Sequence, residues 1–245
     1  MPYKRGRPLA DTSIYFRLAS MMTLRLVELI AYPVYFILFR TTIKGRYKLE
    51  KIKNAILVSN HTTFLDPVLI SAVVWPHVTY HTLLEQTVVV PVLGTYTRLL
   101  GGIPVKRGMK SLLELPSECK RAFKHRRTIH FYPEGECFLN NQTVKPFNNG
   151  AFLVSAELDV PVYPLATVFT ERKNSTKPKI TLYIMDPIYP KDFNCIDSET
   201  GKADLKAVKV FAEHVRNLIQ NEINIRGGTN KFYKGQLERI AGLND

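Results

Sequence analysis

The run Ala55-Ile56-Leu57-Val58 is apolar at every position rather than at every second one. A strand with one wet face alternates; a strand without alternation needs apolar cover on both faces, as in the interior of a sheet sandwiched between helices. The rest of the chain offers such partners in turn. Strands are predicted over residues 56–59, 78–83, 103–106, 128–132, 162–169 and 180–185. Helices are predicted over 65–74, 91–100, 111–126 and 203–222. The first carries Pro67 in its opening turn, where a missing N–H is tolerated. The last two turn Leu112, Leu115, Cys119, Ala122 and Phe123, and Val208, Phe211, Val215, Leu218 and Ile219, inward at helical spacing. This alternation specifies a single α/β domain with a central, largely parallel or mixed sheet flanked by helices. A chain of 245 residues holds one sizeable core and is too short for two ordinary domains of this class.

The strand at 55–58 runs into Ser59-Asn60-His61-Thr62-Thr63-Phe64-Leu65-Asp66-Pro67. Ligands of open α/β sheets bind at the carboxyl ends of strands, which is where this order puts His61. Asp66 can fold back onto the second ring nitrogen, fixing the tautomer and stabilising the imidazolium formed when the ring takes a proton. Such a pair is a general base with an orienting carboxylate and no nucleophile of its own. It suits a reaction in which a substrate hydroxyl attacks. A plainer use exists for the same residues: Asn60 and Asp66 capping the free amides of the following helix.

Three further strands end in comparable turns. Thr128-Ile129-His130-Phe131-Tyr132-Pro133-Glu134-Gly135 closes on a Pro-Glu-Gly turn, in which Gly135 is free to take a positive φ. Gly101-Gly102-Ile103-Pro104-Val105-Lys106-Arg107-Gly108 ends in two cations, and Val160-Pro161-Val162-Tyr163-Pro164-Leu165-Ala166 follows later. Taken in chain order, the four motifs resemble the NHxxxxD, GxIxxxR, (F/Y)PEG and VPIxPV-like blocks of the glycerolipid acyltransferases, over roughly residues 55–170. The resemblance implies His61 as base, Asp66 as its partner, Lys106 and Arg107 as holders of an acceptor phosphate, and Glu134 and Gly135 as residues shaping the acceptor site. It also implies an acyl-thioester donor, acyl-CoA or acyl-carrier protein, with no cofactor and no metal. The acceptor would be a lysophospholipid, 1-acylglycerol 3-phosphate first, with lysophosphatidylcholine and glycerol 3-phosphate as alternatives. The Asn60 and Gly135 turns are candidates for meeting the oxyanion.

The sequence departs from the family pattern where acceptors are chosen. The third block often runs PEGTRS; here Glu136 and Cys137 stand for its threonine and arginine, as in relatives with a PEGTC-like version. In Pro146-Phe147-Asn148-Asn149-Gly150-Ala151-Phe152 two asparagines replace the usual lysines, leaving Lys145 as the nearest cation, and Glu85 stands where the second block often opens with lysine. These changes keep open a lipid-binding protein without turnover. A serine or cysteine hydrolase is disfavoured by the absence of a GxSxG elbow.

Lysine and arginine number 34 against 21 acidic residues, a net charge of +13. The cations are dispersed and no zinc spacing, helix-turn-helix or aromatic-basic RNA signature accompanies them, which excludes nucleic acid as the natural partner and favours anionic lipid and a charged thioester. Three widely spaced cysteines form no disulfide or metal framework and fit a reducing compartment. Residues 1–40 read as a basic arm and an apolar helical membrane anchor, and 41–245 as the acyltransferase domain. Arg25 and Glu28 interrupt the apolar stretch and can pair on one helix face. Pro33 is expected to split or bend it into an interfacial anchor on the cytoplasmic face of a membrane; a single span and an ordinary buried helix are the rivals. The last twenty residues carry no readable signal.

Overall fold

The computed structural model describes residues 9–237 apart from 12, 64, 91, 106 and 107, with the backbone alone at 109 and 110. Its helices are α1 (Ile14–Phe39), α2 (Asp66–Val74), α3 (Glu85–Val89), α4 (Leu93–Leu99), α5 (Met109–Phe123), α6 (Gly150–Leu158) and α7 (Leu205–Ile225). Its strands are β1 (Thr42–Lys44), β2 (Ala55–Ser59), β3 (Thr79–Leu84), β4 (Gly102–Val105), β5 (Thr128–Phe131), β6 (Val162–Arg172) and β7 (Ser175–Ile184). They form one sheet in the order β1-β7-β6-β2-β5-β3-β4. The five strands from β6 to β4 are parallel; β7 runs antiparallel to β6 and carries β1 parallel to itself at the edge.

β2 lies at the centre, and its uniform apolarity has the expected use. Ile56 and Val58 enter the core under α5, α6 and α7, while Ala55 and Leu57 enter the core under α1 and α2, all four fully buried. β6 divides the same way, with Val162, Ala166 and Val168 on one side and Tyr163, Leu165 and Phe169 on the other. Period-two geometry sends successive side chains to opposite faces, so a strand between two helical layers has no polar position to spare. α7 begins at Asp204, whose side chain accepts from the amides of Lys206 and Ala207, and lays Val208, Phe211, Val215 and Ile219 onto the sheet.

Three features differ from the sequence reading. α1 is one continuous helix through Pro33, so of the split or bend expected there the split does not occur. The N–H that proline lacks would have reached the carbonyl of Leu29, and Leu29 faces outward at 72% exposure, so the loss falls on the unpacked side. α3 was not anticipated, because five residues are too few to show a helical period. Nor was α6: Ala151 to Ala156 are all buried, so no polar face marks the helix.

Candidate active site

The parallel neighbours β2 and β5 end side by side, so the turns that follow them meet although 73 residues separate His61 from Glu134. His61 Nδ1 lies 2.9 Å from Asp66 Oδ2. The Asp66 carboxylate is 1% exposed and accepts four further hydrogen bonds: at Oδ2 from the amides of Thr62 (2.6 Å) and Thr63 (2.9 Å), and at Oδ1 from their hydroxyls (3.1 and 2.8 Å). Five donors thus converge on the two oxygens of this buried carboxylate and hold it in one orientation. It therefore draws the proton of His61 to Nδ1 and leaves Nε2, which has no partner among the described residues, as a free base. The capping alternative does not hold. α2 has no side-chain cap, and both residues proposed for that task are engaged elsewhere.

Asn60 acts as an extra peptide unit. Its Oδ1 accepts from Thr167 N (2.9 Å) and its Nδ2 donates to Thr167 O (3.0 Å), which extends the β2–β6 pairing one rung past Ser59 and Leu165. Gln142 does the same further along β6, accepting from Phe169 N at 2.8 Å and donating to Thr167 O at 3.2 Å. His61 is thus mounted on a turn whose preceding residue is clamped at both polar atoms.

Glu134 latches this turn from the β5 side. Its Oε1 accepts from His61 N (2.8 Å) and its Oε2 from Lys145 N (3.0 Å). Burial raises its pKa to about 7 against the opposing pull of those two amides. Gly135 takes φ +73°, and a Cβ there would lie 3.0 Å from Asn148 Nδ2, which itself donates to Pro133 O at 2.8 Å. One asparagine that stands for a family lysine is therefore spent on holding the Pro-Glu-Gly turn. Tyr132 stacks on the His61 ring at 3.9 Å between centroids. Behind it His130 and His81 are buried, with Nε2 atoms bonded to Ser59 Oγ (3.0 Å) and Ser71 Oγ (3.1 Å) and both Nδ1 atoms without partners among the described residues. Burial holds both imidazoles neutral, His81 down at about 3. Burial, with Asp66 and Glu134 nearby, pushes the Cys137 thiol up to about 12, which removes it as a nucleophile near neutral pH.

The structure thus brings together His61, Asp66, Glu134 and Gly135. Lys106 and Arg107 lie outside the described residues. Of the oxyanion candidates, the backbone amides after Asn60 are engaged, His61 N with Glu134 and Thr62 N and Thr63 N with Asp66, and the Gly135 N–H donates to Tyr132 O at 3.0 Å, so none of these is aimed at a substrate. Glu136 meets Gln236 of the C-terminal segment, and Lys145 Nζ lies 5.0 Å from the Phe138 ring centre. Thr62, Thr63 and Gln142 escaped the sequence reading; the doubled threonine between a histidine and an aspartate was the one available cue. Among the described residues no three His, Cys, Asp or Glu side chains gather closely enough to hold a metal ion.

Known proteins resemble the chain in sequence and in fold. The sequence profile of the family described as Acyltransferase matches residues 40–168, more than half of the chain. A chloroplastic 1-acyl-sn-glycerol-3-phosphate acyltransferase, BAT2, of Brassica napus is 27% identical over 204 residues, 79% of this chain and 53% of its own length. An uncharacterised acyltransferase of Schizosaccharomyces pombe is 27% identical over 177 residues, 64% of this chain and 61% of its own. The chain therefore spans between half and two thirds of the length of these curated relatives. The crystal structure of the 1-acyl-sn-glycerophosphate acyltransferase PlsC of Thermotoga maritima shares the fold, with a TM-score of 0.54 at 18% identity over 86% of this chain and 95% of that one. By its profile match and by the four strand-end blocks that made it resemble glycerolipid enzymes, the chain belongs to the acyltransferase family.

Proposed function

We propose that the protein is an O-acyltransferase that moves a fatty acyl group from an acyl thioester, acyl-CoA or acyl-carrier protein, to a hydroxyl of a lysophospholipid, 1-acylglycerol 3-phosphate, giving phosphatidic acid. The observation that carries this reading is the His61–Asp66 contact of 2.9 Å with Nε2 left open beside it. Nε2 takes the acceptor's hydroxyl proton as the oxygen bonds to the thioester carbonyl carbon. The imidazolium that forms is stabilised by the Asp66 carboxylate. Collapse of the tetrahedral adduct breaks the carbon–sulfur bond, and the proton passes from Nε2 to the leaving thiolate. Base catalysis of this kind contributes ~10²–10⁴-fold. Arg107, with Lys106, is the group we assign to the acceptor phosphate, a planar fork of donors being suited to it. The Brassica napus relative's name supports this acceptor.

The acceptor is a lipid, and α1 supplies a means of reaching it. Leu26, Leu29, Ile30, Val34 and Ile37 project outward, 51–75% exposed, while Ser20, Leu24, Glu28 and Tyr35 face the domain. α1 is long and apolar enough to cross a membrane. It is also tied to the domain along its length: Ser20 donates to Leu99 O at 2.5 Å and accepts from Arg126 at 2.8 Å, and Arg25 reaches both Glu28 (2.6 Å) and Pro76 O. A helix pinned on one side and apolar on the other suits docking within one leaflet. The partners in this reading are the thioester donor, the lysophospholipid and an anionic membrane surface.

The test is thiol release from acyl-CoA, and separately from acyl-carrier protein, with 1-acylglycerol 3-phosphate, lysophosphatidylcholine and glycerol 3-phosphate in turn. Release stimulated by the first acceptor and abolished by His61→Ala is the expected result. No stimulation by any acceptor, or full rate in His61→Ala, overturns the reading. Stimulation by another acceptor alone overturns the assignment of the lipid while leaving the chemistry standing.

A further inference from the structure

We propose that residues 229–237 form a strap that holds the catalytic turn in register, so that Asn230 and Asn140 are positioning residues for His61. The argument rests on the reading of His61 and Asp66 as the catalytic pair. The backbone carbonyls of His61 and Thr62 accept hydrogen bonds from Phe138 N (3.3 Å) and Asn140 N (2.7 Å). The segment making those bonds belongs to no strand of the sheet, and its other edge is covered by the strap. Leu237 N donates to Cys137 O at 2.9 Å, Leu139 N to Gly235 O at 2.8 Å, and Lys234 N to Leu139 O at 3.0 Å. Asn140 Nδ2 donates to Phe232 O at 2.9 Å. The strap is fastened at its start: Asn230 Oδ1 accepts from Gln142 N (2.7 Å), Asn230 Nδ2 donates to Thr143 Oγ1 (2.9 Å), and Thr229 N donates to Phe169 O on β6 (3.0 Å).

Three tiers of backbone result, with the strap outermost, residues 137–142 in the middle and the His61–Thr62 turn inside. Gly227 at φ +73° turns the chain out of α7. Gly228 lets it pass Gln142, since a Cβ there would meet Gln142 Oε1 at 2.8 Å and Ile223 Cγ2 at 2.5 Å. The middle tier inherits its order from the strap, and the inner tier from the middle one. A small displacement of a catalytic group is enough to cost a large factor in rate.

The experiment uses the full-length chain with Asn230→Ala, which removes both fastening bonds, and Asn140→Gly, which tolerates the φ of +60° and deletes one strap bond. Amide hydrogen exchange is followed at 137–142 and at Thr62 and Thr63, whose N–H groups hold Asp66, alongside kcat, KM and the melting temperature. We expect faster exchange at both places. We also expect kcat to fall about tenfold to a hundredfold with KM values little changed at temperatures well below melting. Asn230→Asp, which keeps the acceptor for Gln142 N, should recover most of the rate. Exchange that quickens at 137–142 and stays slow at Thr62 and Thr63 overturns the proposal, as does an unchanged kcat. If the wild-type protein transfers no acyl group to any acceptor, the proposed function fails, and the exchange at Thr62 and Thr63 alone decides whether the strap orders the turn.

Discussion

Acidification should destabilise this fold through two histidines that take no direct part in the proposed chemistry. His81 and His130 are 5% and 0% exposed. Burial first, then the Arg126 guanidinium beside His81 and the neighbouring imidazoles of His81 and His61 beside His130, keeps both neutral in the fold. In the unfolded chain each returns to about 6.5. Below that pH the unfolded state binds more protons, so stability that is complete above 6.5 is lost as the pH falls. At pH 5 the loss is about 2 kcal/mol per imidazole, or about 4 for the pair. Glu134 acts in the opposite sense. With a folded pKa of about 7 against 4.5 unfolded, it is protonated preferentially in the fold, and its contribution grows as pH falls through 7. From pH 7.5 to 5 that gain is about 2.5 kcal/mol, so these three groups give a net loss of about 1.5. Urea titrations followed by far-UV circular dichroism in nonionic detergent, at pH 7.5 and 5, measure this. All other groups are common to the variants and cancel in the comparison. Glu134→Gln should deepen the acid loss by about 2.5 kcal/mol, and His81→Gln with His130→Gln should reduce it by about 4. If the double glutamine variant loses as much stability on acidification as the wild type, the account of the two buried imidazoles is wrong.

Asp66→Asn should lower kcat at least about a hundredfold, because its oxygen can still accept from His61 Nδ1 and from the N–H groups of Thr62 and Thr63 but brings no negative charge to stabilise the imidazolium; a variant within threefold of wild type would refute the role of the carboxylate. Gly135→Ala should cost about 1–2 kcal/mol, read as a lower melting temperature, since φ is +73° and the new Cβ would press on Asn148; an unchanged melting curve would show that the turn relaxes freely. Arg107→Ala should raise KM for the phosphate-bearing acceptor and leave that for the donor unchanged, and equal KM values for the acceptor would reject the assignment. Replacing Leu26, Ile30 and Ile37 together by aspartate should release the protein from anionic vesicles in a flotation assay, and persistent flotation would remove α1 from the docking surface.

The parts of the fold that announced themselves in the sequence are those whose packing repeats. β2 was visible because both its faces are covered, and α7 because its inward stripe repeats from Val208 to Ile223, about four turns. α6 was invisible for the converse reason, being buried all round. At the site, the approach of Asp66 to His61 is local in sequence and was legible from a spacing of five. The Glu134 latch onto the His61 amide is a product of β2–β5 adjacency, and sequence order supplied the residue and not its partner. The strap was unreadable because its contacts are backbone bonds, which leave little trace in side-chain type beyond Asn230, Gly227 and Gly228.

The full burial of β2 on both faces also bears on how such a protein can change over time. Each of Ala55, Ile56, Leu57 and Val58 fills a place in one of two cores, so substitutions there are penalised whichever face they fall on. The strand that presents the base thus leaves little room for substitution. Drift has more room at exposed loop positions near the site, such as Pro146, Tyr233 and Lys234, where a replaced side chain meets solvent instead of a filled interior. Changes there leave both cores around β2 and the Asn60 clamp intact, so chains can differ at the rim of the site and keep the strand that presents His61.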